Sequence, residues 1–338
     1  MTAKELAKKL GISAASVSYA LNGKPGVSIE TRNKVKEAAR EHGMNFIPLN
    51  YSAKSNQTIY LIYYKKEGPR VIENSFDNSF YSTLTDGISM ASKDYGYHIH
   101  LRSVSNSMEL REELSELGNL GSIGIIILAT EMTNEDLAPL AFSRLPVVLL
   151  DNHFRSTAVN SVTIDNMYSA YAATDYLLKK RKKQPGYLRA AVPITNFNER
   201  KKGYETAILN NGFSLANSTV HRLSIHPDGA YSDMLDILKK GIKPADSYFA
   251  DNDFIAFGAM KAFKEMGYRI PQDVAFVGFD DLPIARFSDP ELTTMHVPIH
   301  YMGILAVERL RSIAEDEFEK NYPLNIQVNA GLVIRQTT

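Results

Sequence analysis

The chain of 338 residues is longer than one ordinary domain, and its 44% hydrophobic and 22% charged residues are typical of folded globular proteins rather than of disordered chains. The absence of cysteine excludes disulfides, zinc fingers and thiol nucleophiles, and it fits a reducing compartment. The net charge is zero, but residues 1–58 hold nine basic and four acidic side chains, which is typical of a nucleic-acid-binding head and equally compatible with a solvated charged face.

The apolar segments are too short to cross a membrane. The longest, residues 123–129 and 145–150, are the size of strands, far below the roughly 20 residues that a membrane-spanning helix needs. The chain opens on an amphipathic segment without the apolar run of an export signal. We therefore expect a cytoplasmic protein with no membrane partner.

The first 45 residues have the pattern of three short helices. Thr2 and Glu5 form a capping box, and Ser13 can cap a second helix after a tight turn at Gly11. Ser28 can cap a third helix in the same way. Two short helices joined by a three-residue turn predict a helix-turn-helix. The apolar positions at helical spacing are Leu6, Ala7, Leu10, Val17, Ala20, Leu21, Val35, Ala38 and Ala39.

Residues 46–58 are polar, contain Pro48 and lack periodicity, so we interpret them as a linker between a head, 1–45, and a body, 59–338. In the body, strand-sized apolar runs alternate with helical patterns, which predicts parallel sheets covered by helices. The length of the body favours two sheets and hence two lobes. The predicted fold class is an all-α helix-turn-helix head on an α/β core of two doubly wound parallel-sheet lobes.

The lobe boundaries are placed between predicted elements. The first lobe is expected to contain approximately residues 59–160 and 296–322. The second lobe is expected to contain approximately residues 161–295 and 323–338.

Polar residues follow several predicted strands of the body. Asp151-Asn152, Asn252-Asp253 and Asp280-Asp281 each come directly after an apolar run, and Asn196 and Arg200 follow another. Ligands of open α/β sheets bind beyond the carboxyl ends of the strands. Carboxylates, amides and a guanidinium meeting there suit the vicinal hydroxyls of a sugar or similar polyol. The alternative is that these residues cap helices and form turns.

Catalytic signatures are missing from the sequence. It has no Walker-type glycine loop, no Gly-x-Gly-x-x-Gly after the first strand, no His-Glu-x-x-His and no Gly-x-Ser-x-Gly. His98 and His100 share a strand face without a third ligand nearby, and the adjacent carboxylates Asp280 and Asp281 point in different directions. We predict that the protein is not an enzyme and has no catalytic residue, metal site or cofactor.

Two separate parts of the chain resemble one known family. Residues 6–23, LAKKLGISAASVSYALNG, resemble the helix-turn-helix of the lactose-repressor/galactose-repressor (LacI/GalR) family of transcriptional regulators. Residues 250–259, ADNDFIAFGA, and 270–281, IPQDVAFVGFDD, resemble the effector-binding domain of the same family, which has a periplasmic-binding-protein-like core. The resemblance implies a repressor controlled by a small polar effector, with a sugar as the expected class. The alternative is a two-lobed sugar-binding protein without a regulatory role.

The resemblance also implies a homodimer on double-stranded, roughly palindromic operator DNA, with the second helix in the major groove. Four residues occupy the positions that read bases, three suit phosphate contacts, and Asn22 completes the DNA-binding surface. The base-reading residues are Ala14, Ala15, Ser16 and Tyr19, and the phosphate-contacting residues are Ser13, Ser28 and Thr31.

The head departs from the family pattern in two places. Tyr19 stands where members often have arginine, and tyrosine cannot form the bidentate pair with guanine, so we predict a weaker guanine preference at that base. The interval from Pro48 to Ile59 is about one helical turn shorter than in typical members, which carry a hinge helix there. Leu49 lies too early to act as the leucine wedge that kinks the operator, so we expect no kink of that kind.

In the body, the resemblance assigns effector contacts to Arg200, Asn252 and Asp280. It assigns them more loosely to Asp151, Asn196, Phe80 and Tyr81. The ring of Tyr81 can stack on a sugar face or a base, but both aromatic residues at the start of a helix can equally belong to the core. The pair Asp165-Asn166 also recurs in the family, and we interpret it as a helix cap.

Overall fold

The structure is a computed structural model, and it describes residues 3–21, 27–28, 31, 34–35, 38–39, 57–66, 78–117 and 122–338. The chain divides into two compact units, Met1–Asn56 and Gln57–Thr338. Of the predicted linker, only residues 57 and 58 are described, and Thr58 already begins the first strand of the second unit.

The N-terminal unit contains two short helices joined by a tight turn. Helix α1 covers Ala3–Leu10 and helix α2 covers Ala14–Leu21. Gly11, in the turn, has a φ of +66°, a conformation that favours glycine. The Ser16 N–H donates to the Ser13 hydroxyl oxygen at 2.9 Å, which confirms the predicted cap of α2. Among the described residues of this unit, the buried core contains Leu6, Ala7, Val17, Ala20, Val35 and Ala39.

The predicted third helix is also supported at its start. The Thr31 N–H donates to the Ser28 hydroxyl oxygen at 3.1 Å, as expected of a cap. Residues 31, 34–35 and 38–39 are helical. Several predictions fall outside the described residues, namely those for Thr2, Asn22, Pro48 and Leu49.

The described residues of the second unit form two six-stranded sheets. Among these strands, all pairs in the first sheet are parallel, and in the second only the pair of β10 with β12 is antiparallel. The first sheet has the order β11 (Asn325–Val328), β5 (Asn160–Ile164), β4 (Val147–Leu150), β3 (Gly124–Leu128), β1 (Thr58–Tyr64), β2 (His98–Val104). The second has the order β12 (Gly331–Val333), β10 (Thr293–His296), β9 (Ala275–Asp280), β8 (Ser247–Ala250), β6 (Gly186–Ala190), β7 (Val220–Leu223).

Helices connect most successive strands, as expected for parallel sheets, whereas loops join β4 to β5 and β11 to β12. Central strands such as β3 and β9 are buried at every residue, which explains why their sequences are continuous apolar runs. The helices among the described residues of this unit are α3 (Asn78–Asp94), α4 (Ser107–Leu117), α5 (Asn166–Arg181), α6 (Thr195–Asn210), α7 (Pro227–Lys239), α8 (Asp253–Glu265), α9 (Ile299–Glu315) and α10 (Glu317–Lys320), with 3₁₀ helices over Asn134–Phe142, Leu215–Asn217 and Pro283–Arg286.

The two sheets correspond to the two predicted lobes, but the lobe boundaries need correction. Strand β5 pairs with β4, and β11 pairs with β5, so both strands belong to the first lobe and not to the second. The chain crosses between the lobes after β5, after β10 and between β11 and β12. The predicted boundaries at residues 160 and 322 are wrong, because each of them assigns a strand of the first sheet to the second lobe. These strands are β5 and β11.

Candidate functional site

Arg200, on α6, lies at the centre of the polar cluster at the carboxyl ends of the strands. It is 3% exposed, and its Nε donates to the side-chain oxygen of Asn166 at 2.9 Å. Its Nη1 donates to the main-chain oxygen of Asp251, and its Nη2 lies 3.5 Å from Oδ1 of Asp280. The guanidinium carbon is 3.6 Å from the centre of the Phe279 ring. Each nitrogen of this buried cation therefore has a partner.

Asp280 ends strand β9 and adopts a positive φ of 109°, which a non-glycine residue rarely does. The neighbouring Asp253 is fully buried and accepts hydrogen bonds from the Thr294 hydroxyl at 2.5 Å and the Leu282 N–H at 2.8 Å. Burial, and then the charge of Asp280, raise the pKa of Asp253 well above its usual range. Asp280, which lies beside Arg200, therefore also has a second, structural carboxyl group next to it.

Asp151 reaches this cluster from the first lobe. It follows β4 with a φ of 65°, and its Oδ2 accepts from the Thr130 hydroxyl at 2.7 Å. The amide nitrogen of Asn196, on α6 of the second lobe, donates to Oδ1 of Asp151 at 3.0 Å. Burial raises the pKa of Asp151 to about 6, against the opposing effects of Thr130, Arg200 and Asn196. Asp151, Asn196, Arg200 and Asp280 therefore form one site that spans both lobes.

The three other predicted effector contacts also have structural roles. The side-chain oxygen of Asn252 accepts from the Ile255 N–H at 2.8 Å and caps α8, as the structural alternative states. Tyr81 is 7% exposed and belongs to the hydrophobic core, and the half-buried Phe80 packs against that core. Their contact with an effector stays a prediction.

Sequence reasoning missed two residues of the site. Asn166 was assigned to a helix cap together with Asp165, and Asp165 does cap α5 by accepting from the Tyr168 N–H at 2.9 Å. Asn166 instead holds Arg200. Asp251 supplies the carbonyl that binds Arg200, and burial raises the pKa of its own carboxyl to about 6 against hydrogen bonds from Tyr187 and Ala190. A carboxylate placed directly after the apolar run of β8 was the available signal.

In the N-terminal unit, the predicted DNA-reading residues lie on one face of α2. Ala14, Ala15 and Tyr19 are exposed, whereas Val17 and Ala20 on the opposite face are buried. The residues predicted to contact phosphates, Ser13, Ser28 and Thr31, are small hydroxyl residues at helix starts, and Asn22 lies outside the described residues. Ser13 and Ser16 lie 2.8 Å apart at their hydroxyl oxygens, as do Ser28 and Thr31.

Two other features of the described residues bear on function. No group of three or more His, Asp or Glu side chains among them is arranged to bind a metal ion, and His98 and His100 are exposed on the edge strand β2. None of the described helices has the length and apolar character needed to cross a membrane.

Comparison with known proteins accounts for both units. Residues 2–48 match the family described as bacterial regulatory proteins, lacI family, and residues 174–338 match the periplasmic binding protein-like domain. The transcriptional repressor PurR of Pasteurella multocida is 28% identical over 340 residues, covering 99% of this chain and 98% of that protein. The regulator AscG of Escherichia coli K12 is 28% identical over 306 residues, covering 89% and 88%.

Solved structures have the same fold over the whole chain. The CelR–cellobiose complex has a TM-score of 0.72 at 23% identity and covers all of both chains. The Lac repressor dimer bound to operator and an anti-inducer has a TM-score of 0.71 at 22% identity, covering 100% of this chain and 99% of that one. Because both units match in the predicted order and the similarity spans the whole sequence, the protein belongs to the LacI family of bacterial transcriptional regulators and is not an enzyme.

Proposed function

We propose that this regulator represses transcription as a homodimer on operator DNA, and that a small uncharged polyhydroxy molecule, such as a sugar, controls its DNA affinity from the cleft between the lobes. The observation that carries the proposal is the fully partnered guanidinium of Arg200 beside Asp151 and Asn196. A molecule that contacts these side chains touches both lobes, and it can therefore shift the balance between lobe arrangements.

The charges of the cleft favour an uncharged effector. Arg200 already faces Asp280, and the buried Asp151 adds a second carboxylate close to it. A phosphate or carboxylate entering the cleft would lose its hydration and meet these two anions, without gaining an unpaired cation from the cluster. Hydroxyl groups can instead donate to the carboxylates and accept from the Asn196 amide.

The exposed face of α2 supports the DNA-binding part of the proposal. Ala14 and Ala15 present only methyl groups, which match the methyl group of thymine in the major groove. Tyr19 is 41% exposed at the position where family members often place arginine. We therefore propose an operator without a strong guanine requirement opposite Tyr19.

Exposed apolar side chains on the second unit support the homodimer. Leu101 on the edge strand β2 is 58% exposed, and Met108 at the start of α4 is 71% exposed. Phe287 on the second lobe is 85% exposed. We propose that a second copy of the chain covers exposed apolar side chains of this kind, since a palindromic operator requires a dimer.

Thermal-shift measurements with matched pairs test the effector class. Glucose and glucose 6-phosphate, ribose and ribose 5-phosphate, and guanosine and its monophosphate differ within each pair by one phosphate. We expect a rise in melting temperature only with uncharged sugars, since ligand binding to the native state raises it. The rise should be lost in Asp280→Asn. A phosphorylated compound that alone raised the melting temperature would contradict the proposal, and a response to guanosine alone would replace the sugar with a nucleoside.

A further inference from the structure

A second contact joins the two lobes beside the Asp151–Asn196 hydrogen bond. Nε2 of His153, in the loop that follows β4, lies 3.4 Å from Oε1 of Glu199 on α6. The two side chains are only 11% and 16% exposed. The loop of the first lobe and the first turns of α6 in the second lobe are therefore linked at two successive points.

The His153 end of this contact is fixed within the first lobe. The side-chain nitrogen of the fully buried Asn152 donates to the main-chain oxygens of Ala129 at 2.9 Å and Met132 at 3.0 Å. The His153 N–H donates to the side-chain oxygen of Asn152 at 2.8 Å. The loop cannot follow a movement of the second lobe without breaking these bonds.

The Glu199 end is fixed within the second lobe. Helices α5 and α6 pack so closely at Gly203 that a Cβ atom there would lie 2.2 Å from the main-chain oxygen of Met167. Arg200, the next residue after Glu199, is tied to Asn166 on α5. Since both ends are anchored, the distance between His153 and Glu199 depends on the relative position of the lobes.

We infer that His153 and Glu199 are positioning residues, a latch that favours the lobe arrangement in which Asp151 lies beside Asn196 and Arg200. The effect of the latch on ligand binding rests on the proposed function. A ligand that contacts both lobes favours the same lobe arrangement as the latch does. Losing the latch lowers the population of that arrangement and weakens ligand binding by the same factor. The latch itself is formed by two side chains of the protein and needs no ligand.

The latch is therefore tested without ligand, by measuring the distance between spin labels on the two lobes. The chain has no cysteine, so labels can be attached to Glu116→Cys on α4 and Lys239→Cys on α7, both exposed positions. Labelled chain is diluted with unlabelled chain so that only one copy of an oligomer is observed. In His153→Ala and Glu199→Ala, we expect the ratio of the present arrangement to more open ones to fall about two- to fivefold, as for the loss of one partly exposed polar side-chain contact.

Two controls separate a latch from a general loss of stability. Glu205→Ala removes the ion pair with Lys201 on the same helix and within one lobe, at an Nζ–Oε1 distance of 2.9 Å, and should leave the distances unchanged. The exchanged pair His153→Glu with Glu199→His should restore the original distribution. Unchanged distances in both alanine variants, with melting temperatures showing that they fold, would overturn the inference. If the distances respond but no sugar raises the melting temperature, the proposed function fails and the latch does not.

Discussion

The exposed face of α2 and the polar cleft of the second unit are built in opposite ways. On α2, the candidate reading residues lie within a few positions of one another and point outward, so each can change without disturbing the core. In the cleft, Arg200 is held by residues that are far away in sequence, and each of them is buried. A substitution in the cleft is therefore expected to change stability, whereas a substitution at the candidate reading positions of α2 is not.

Arg200→Ala is expected to have the largest effect on stability. It leaves Asp280 and the main-chain oxygen of Asp251 buried without their cationic partner, which should lower the free energy of unfolding by about 3–5 kcal/mol. Urea unfolding followed by circular dichroism measures this change. Lys201→Ala, at the next and more exposed position of the same helix, serves as the control and should cost about 1 kcal/mol or less.

Asp151→Asn should change how stability depends on pH. Because burial raises the pKa of Asp151 to about 6, the folded protein binds this proton more tightly than the unfolded chain, whose aspartate pKa is about 3.9. The stabilisation by this bound proton is therefore full below about pH 4. It is lost as the pH rises to about 6, which lowers the free energy of unfolding by about 2–3 kcal/mol. Unfolding titrations at several pH values should give a flatter profile for the variant. An unchanged slope would show that Asp151 is not the titrating group.

Ser13→Ala should have a smaller effect, confined to the N-terminal unit. Loss of the hydrogen bond to the Ser16 N–H should destabilise α2 by about 1 kcal/mol. Amide hydrogen exchange measures this locally as faster exchange of the α2 amides, with no change in α5 or α8. Ser13→Thr keeps the hydroxyl and is the control that should retain protection. If the α2 amides exchanged equally slowly in the alanine variant, the Ser13 hydroxyl would not stabilise α2 as a cap.

Tyr19→Arg should leave stability within about 0.5 kcal/mol, because Tyr19 is an exposed position outside the core. Its effect should appear in operator selection from random DNA. The variant is expected to gain a guanine preference of about 1–3 kcal/mol at one position in each half-site. An invariant guanine already selected by the unmodified protein would contradict the role given to Tyr19.

The sequence predicted most of the local features, such as strands and helix caps. It predicted few of the contacts between residues that are distant in the sequence. The central strands were recognisable as apolar runs, and the caps at Ser13, Ser28 and Asp165 followed from residue type and spacing. Strand β11, with the sequence NIQV, was not predicted because it is a short edge strand with exposed polar positions. Without this strand, the predicted lobe boundary lies too early, at residue 322.

The candidate site was predictable only in outline. Polar residues after strands correctly indicated that Asp151, Asn196, Arg200 and Asp280 would meet, because the carboxyl ends of parallel strands share one edge. The sequence could not show that Asn166 and Asp251 would bind Arg200, since both partners depend on how α5 packs against α6 and on the end of β8.

The central claim is that occupancy of the cleft changes the affinity of the protein for DNA. The most direct measurement is a fluorescence-anisotropy titration of the selected operator, at fixed salt concentration, with and without the sugar that gives the largest thermal shift. We predict at least a tenfold change in the dissociation constant, about 1.4 kcal/mol of coupling, and no such change in Asp280→Asn. An operator affinity that is the same with the cleft filled and empty would contradict the account.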